Sequence, residues 1–156
     1  MGEFSKAALI AAIEKAGTKE KIVEFEYPYL DGLYFEIAFA SKQVLKRITD
    51  ESKENFFNHR TRQQEDRIND KKFGRASSRE LLKGWRGLTV EKLRVMFPTL
   101  EFEGEEGAEV SYDQDLAYIL LDNSMELQNW VVNVAQTISN FAKVAEKKAE
   151  QLENLG

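Results

Sequence analysis

The residues able to do chemistry are few and scattered. The one histidine, His59, lies between Asn58 and Arg60 in a polar stretch. No second histidine and no serine–carboxylate arrangement stands near it, so it reads as a solvated side chain rather than part of a relay. There are no cysteines, which excludes disulfides, iron–sulfur clusters and thiolate zinc sites. Glu101, Glu103, Glu105, Glu106 and Glu109 crowd one segment and could attract a divalent cation weakly. Their spacing is not that of an EF-hand loop, so a solvated acidic loop is the simpler reading. Gly84 and Gly87 are not followed by Gly-Lys-Ser/Thr, so no phosphate-cradling loop is expected. No metal, no cofactor and no catalytic set emerges, and the chain reads as a non-enzyme. Its function must then lie in surfaces that bind.

Two binding chemistries are open. Trp85 and Arg86 stand in Lys83-Gly84-Trp85-Arg86-Gly87-Leu88, and Trp and Arg are favoured at interaction hot spots. The structural alternative makes Trp85 a core anchor and Gly87 a helix stop. The second chemistry is nucleic-acid binding. Arg75, Arg79, Lys83, Arg86, Lys92 and Arg94 surround two short helices expected between Ser77 and Phe97. A helix–turn–helix-like pair there could contact phosphates. Its second helix offers few polar residues to base edges, and an acidic stretch follows at once, which argues against nucleic acid.

The charge layout sharpens the contrast. The chain has 156 residues, 22 Lys+Arg and 27 Asp+Glu, for a net charge of -5. Residues Met1 to Ala40 carry 4 basic and 7 acidic groups, and Ser41 to Pro98 carry 15 and 8. Thr99 to Gln128 carry 9 acidic groups and no basic one, and the remainder is balanced. Self-neutralisation within one small domain is the expected use of such a layout.

The positioning elements follow from spacing. The length fits one domain, 1–156. No apolar run approaches the roughly 18 residues of a membrane span, and no secretory leader is expected. Ser5 caps a short helix with Leu9, Ile10 and Ile13 on one side and Gly17 as its stop. Val23, Phe25, Tyr27 and Tyr29 alternate with polar residues, and Leu33, Phe35, Ile37 and Phe39 resume the alternation after Asp31-Gly32. This is a β-hairpin. A three-residue loop, Leu30-Asp31-Gly32, would pair Tyr27 with Phe35 and Phe25 with Ile37, keep one apolar face and use Gly32 in a left-handed conformation. Pro28 suggests an edge strand or an interruption.

Ser41 caps a helix expected to carry Val44, Leu45, Ile48, Phe56 and Phe57. Asn58 to Glu80 is polar and basic, and within it 58–78 is expected as an exposed or mobile insertion. Ser77 and Glu80 have capping-box spacing before Leu81, Leu82 and Trp85. Thr89 starts a helix that Pro98 ends. Ser111 with Gln114, and Asn123 with Glu126, have cap spacing before two further helices. The last carries a stripe of Leu127, Trp130, Val131, Val134, Ile138, Phe141 and Ala145, and should fray over 146–156. The expected fold is α+β, mostly α-helical: an N-terminal β-hairpin packed on a small helical bundle with a long C-terminal helix.

This order of elements resembles the tail assembly chaperones of long-tailed bacteriophages. The resemblance rests on Val23-Glu24-Phe25-Glu26-Tyr27-Pro28, Leu33-Tyr34-Phe35-Glu36-Ile37-Ala38-Phe39 and above all Gly84-Trp85-Arg86-Gly87-Leu88. It continues through Val110-Ser111-Tyr112 and the Leu120-Leu121 helix, over roughly Val23 to Phe141. The sequence departs from the family in the basic segment around Asn58 to Ser78, and in Ser111-Tyr112 where Phe-Ser is commoner. The resemblance implies a phage or prophage protein of the host bacterial cytoplasm that is absent from the mature virion. Its implied partners are the tape measure protein, which it keeps soluble, and tail tube subunits, which it helps recruit; self-association is a further option. Trp85, Arg86, Leu88, Leu127, Trp130 and Val134 are the candidate protein-binding residues, chosen from their positions near Trp85 and on the last helix.

Overall fold

The computed structural model describes residues 5–142. The chain runs through α1 (Lys6–Thr18), β1 (Ile22–Glu26), β2 (Tyr34–Ala38), α2 (Lys42–Ser52), β3 (Lys53–Asn58) and β4 (Gln63–Ile68). It continues through α3 (Asp70–Leu81), β5 (Leu82–Arg86), α4 (Val90–Met96), α5 (Gln114–Asn123) and α6 (Met125–Gln136). The class is α+β and mostly helical, as the patterning predicts.

The N-terminal hairpin forms and has one buried face. Val23, Tyr27, Leu33, Phe35 and Ile37 turn inward, while Glu24, Glu26 and Glu36 turn out. Its register differs from the expected one by two residues. Phe25 pairs with Phe35 and Val23 with Ile37. The connection is therefore longer, closed by the Tyr27 N–H donating to the Leu33 carbonyl at 2.8 Å. A shift of two preserves the face, since side chains alternate with period two. Gly32 is left-handed at φ 78°, and Pro28 lies just beyond β1, an edge strand.

The hairpin does not stand alone. Leu82–Arg86, expected as helix, is a third strand in a sheet ordered β1-β2-β5. Trp85 pairs with Phe35 and Gly84 with Glu36. A free β2 edge supplies partners that no local pattern announces. The Ser77–Glu80 capping box fails for the same reason: Ser77 lies inside α3, buried, with its hydroxyl unpartnered among the described residues. That helix is capped instead by Asn69, which accepts from the Lys72 N–H.

The segment 58–78 divides in two. Its first part belongs to a β3–β4 hairpin, so Phe56 and Phe57 lie on a strand and not on the preceding helix. Phe56 lies under the Arg67 guanidinium, 4.7 Å from its ring centre, and Glu54 pairs with Arg67 at 3.1 Å. Asn58 builds the turn by accepting the Arg60 N–H at 2.9 Å, and Arg62 is left-handed at φ 56°. The second part, α3, is not an exposed insertion. Gly74, Ala76, Ser77 and Ser78 are buried, and these small residues let α3 pack closely on α2, α5 and the sheet.

The C-terminal helix is also shorter than its stripe suggests. It breaks at Thr137, after which 138–142 turn helical again. The Thr137 hydroxyl donates to the Asn133 carbonyl at 2.7 Å, and Asn140 reaches the Val134 carbonyl at 3.3 Å. The break exposes Ile138 and returns Phe141 to the hairpin, edge-on to Phe39 at 5.1 Å and Phe25 at 5.6 Å. Ala145 and 146–156 lie outside the described residues. Two caps sit close to their expected places: Asp113 accepts from Leu116, and Ser124 from Leu127. Ser5, Ser41 and Thr89 cap as expected.

Candidate protein-binding surfaces

The candidate binding residues do not share a surface. Trp85 is buried, edge-on to Phe35 at 6.3 Å and to Tyr112 at 4.9 Å, and donates its indole N–H to the Val110 carbonyl at 2.8 Å. Leu88 and Leu127 are fully enclosed. Trp130 is half-buried against Tyr27 at 5.0 Å and Phe35 at 5.8 Å, and Val134 packs on the same core. Of the six, Arg86 alone is exposed. It forms two hydrogen bonds of 2.8 Å to the Glu24 carboxylate and lies 3.9 Å from the Tyr34 ring centre, on the outer face of the sheet. Those hydrogen bonds hold the Glu24 carboxyl below the usual range. The core-anchor reading of Trp85 is the one the packing obeys, because a buried indole needs both apolar neighbours and a partner for its N–H.

Two tyrosines tie this core together. Tyr27 donates to Glu126 at 3.2 Å, and Tyr112 to the Leu82 carbonyl at 2.8 Å. Burial raises both hydroxyl pKa values above the phenol range, with Glu126 adding to the effect at Tyr27 and Asp113 at Tyr112. In the folded chain both stay protonated where unfolded tyrosines, near pH 10, ionise. Their contribution to stability is complete below about pH 10 and shrinks as pH rises beyond it. The melting temperature should fall between about pH 9 and about pH 11, and Tyr27→Phe should flatten that fall. A wild-type melting temperature unchanged over the interval would refute this.

The helix–turn–helix arrangement is absent, since a strand separates α3 from α4. Its basic residues have other uses. Arg75 stacks on Tyr118 at 4.8 Å, and Arg79 pairs with Glu51. Lys83 pairs with Glu20 at 3.2 Å, Lys92 donates to the Gly87 carbonyl at 2.7 Å, and Arg94 pairs with Glu106 at 3.3 Å. Arg47 reaches Glu80 at 3.2 Å. Burial would raise the Glu80 pKa, but Arg47 and Arg79 outweigh it and hold the carboxyl low.

Neutralisation is thus real but one-sided. The basic middle pairs with its own carboxylates and with Glu20 and Glu24. Only Arg94–Glu106 reaches the acidic stretch among the described ion pairs.

Beside that stretch lies an apolar groove of about 430 Å³ between α4 and α5. Leu93 and Phe97 form one wall, Leu116, Ile119 and Leu120 the other, and Leu100 lies along the rim. Ile119 is 49% exposed and Leu100 37%. The i, i+4 spacing of Leu93 and Phe97 and the 116/119/120 triplet were visible in the sequence, but such spacing marks an apolar face without saying what covers it. Among the described residues a second apolar face is left uncovered on α1, which buries no residue and exposes Leu9, Ile10 and Ile13. His59 is exposed, edge-on to Phe57 at 4.9 Å. Among the described residues no group of three or more His, Cys, Asp or Glu is set to hold a metal ion, and no helix is long and apolar enough to cross a membrane.

Neither the curated proteins nor the solved structures contain a match to this chain. A family model described as "YdaY prophage protein" matches residues 36–154. The match begins within β2 and takes in β5, both walls of the groove and the β3–β4 hairpin, and leaves out α1 and β1. The chain belongs to the YdaY prophage protein family.

Proposed function

We propose that this prophage protein is a tail assembly chaperone: a non-enzymatic factor of the host cytoplasm that binds the tape measure protein, keeps it soluble and helps recruit tail tube subunits. The observation that carries the reading is the apolar surface left uncovered on a well-packed body, in the α4–α5 groove and on α1. Exposed apolar patches on a stable domain mark places where another chain is met. The prophage family and the resemblance of the hairpin and the Gly84-Trp85-Arg86-Gly87-Leu88 element support it further. That element acts from inside: Trp85 and Leu88 hold the sheet to the helices and so fix the body on which the binding surfaces sit. The mechanism is shielding, in which apolar helices of the partner stay covered until tube assembly displaces the chaperone.

Co-expression with the tape measure protein of the same prophage tests this. The tape measure protein should move from the pellet to the soluble fraction and co-purify with this chain. Equal insolubility with and without it would refute the reading.

A further inference from the structure

The groove between α4 and α5 has a chemical bias that its apolar lining does not reveal. Between Thr99 and Gln128 there are nine carboxylates and no basic residue. Among the described residues only Glu106 of these takes part in an ion pair, with Arg94. Glu101 lines the groove, and Asp115 and Asp122 lie exposed on α5, four before and three after Ile119. That spacing puts both on the outer edge of Ile119, the side away from Leu116 and Leu120, where Asp115 shares a cavity with Arg75 and Arg79 and Asp122 one with Asp70 and Phe73. The other ion-paired residues of the basic middle are engaged by its own carboxylates and those of the N-terminal segment. A carboxylate in no ion pair among the described residues, Glu101, therefore stands at the groove, and two more line the outer edge of its α5 wall.

We propose that this groove docks an amphipathic α-helix of a partner protein, with an apolar stripe seated between α4 and α5 and Lys or Arg on its flanks. This rests on the protein-binding reading above and gives it a site and a partner chemistry. One wall is α5, with apolar side chains at i, i+3 and i+4; the other is Leu93 of α4 and Phe97 just past its end. A third helix fits such a trough by setting its own ridge between them. The carboxylates select among apolar helices, attracting basic flanks and repelling acidic ones. An apolar helix rich in glutamate would meet like charge at Glu101 and along the outer edge of the α5 wall.

Two synthetic helical peptides of about 15 residues are the probes. They share one leucine stripe and carry either lysine or glutamate on the flanks. Fluorescence anisotropy should show the lysine peptide binding the full chain and the glutamate peptide not binding. Ile119→Glu should weaken the lysine peptide at least about tenfold. Raising salt from about 0.05 to about 0.5 M should weaken it as well. Phe57→Glu, on the β3–β4 hairpin and outside the groove lining, should leave binding unchanged. Ile119 is exposed, so that variant should keep the wild-type circular dichroism. Equal binding of both peptides, binding of neither, or an Ile119→Glu variant that binds like wild type would each overturn the proposal. The co-expression assay separates this from the chaperone reading. If Ile119→Glu solubilises the tape measure protein as well as wild type does, the groove is not its site, though the chaperone reading stands. If the lysine peptide binds at the groove and the tape measure protein is never solubilised, the site stands and the chaperone reading fails.

Discussion

Gly87→Ala should destabilise the protein by about 3–4 kcal/mol and lower its melting temperature by about 10 °C. Two effects combine. Gly87 has φ 76°, a left-handed conformation that costs a non-glycine residue about 1–2 kcal/mol. An added Cβ would also overlap the Gly32 carbonyl oxygen, which belongs to the backbone and cannot rotate away. The turn after β5 and the turn of the N-terminal hairpin approach each other at this point, so relief in one displaces the other. Gly32→Ala is the control. Gly32 has φ 78°, but its new Cβ would meet the mobile end of Lys92 at 3.3 Å. Its cost should stay near the conformational one, about 1–2 kcal/mol. Thermal melts of the two variants decide the matter. Equal costs would mean that the turn-to-turn approach is not what demands glycine at Gly87.

Trp85→Ala should cost about 3–5 kcal/mol, a large part of the stability of a domain this size. The indole joins Phe35, Tyr112 and the Val110 carbonyl, so its removal opens the seam between β5 and the segment leading into α5. Trp85→Phe keeps most of the apolar volume but leaves the Val110 carbonyl without its donor. It should cost less, about 1–3 kcal/mol. Chemical denaturation of the pair separates a core anchor from a surface contact. If Trp85→Ala were within about 0.5 kcal/mol of wild type, the residue would be behaving as surface.

Local signals carried much of this fold. The N-terminal hairpin is written in alternation, and Ser5, Ser41 and Thr89 cap the helices they precede. Pro98 stands just past α4, and 97–113 form the acidic connection the composition suggested. What escaped depends on partners distant in sequence. Leu82-Lys83-Gly84-Trp85-Arg86 is too short and irregular to announce a strand, and becomes one because β2 offers a free edge. The β3–β4 hairpin is rich in good helix formers, and its strands are joined by cross-strand pairs such as Glu54–Arg67 and Asn58–Glu65, which no single strand displays. The break at Thr137 follows from side-chain hydrogen bonds to carbonyls and from Phe141 returning to the hairpin, not from glycine or proline. The candidate site was half legible. Its apolar residues other than Leu100 were on predicted helices, but spacing alone made them look like core. Burial then exchanged the roles, taking Trp85, Leu88 and Leu127 inside and leaving Ile119 and Leu100 outside.

The β3–β4 hairpin packs chiefly on itself. It leaves the body at Ser52 and rejoins it at Asn69, whose N–H donates to the Ser52 carbonyl at 2.7 Å. The chain therefore departs and returns through one doorway. An arm hung this way can lengthen, shorten or change its charges without moving a residue of the sheet or of α3. Changes there would leave the packing of the body in place, because the doorway keeps the core blind to what hangs outside it.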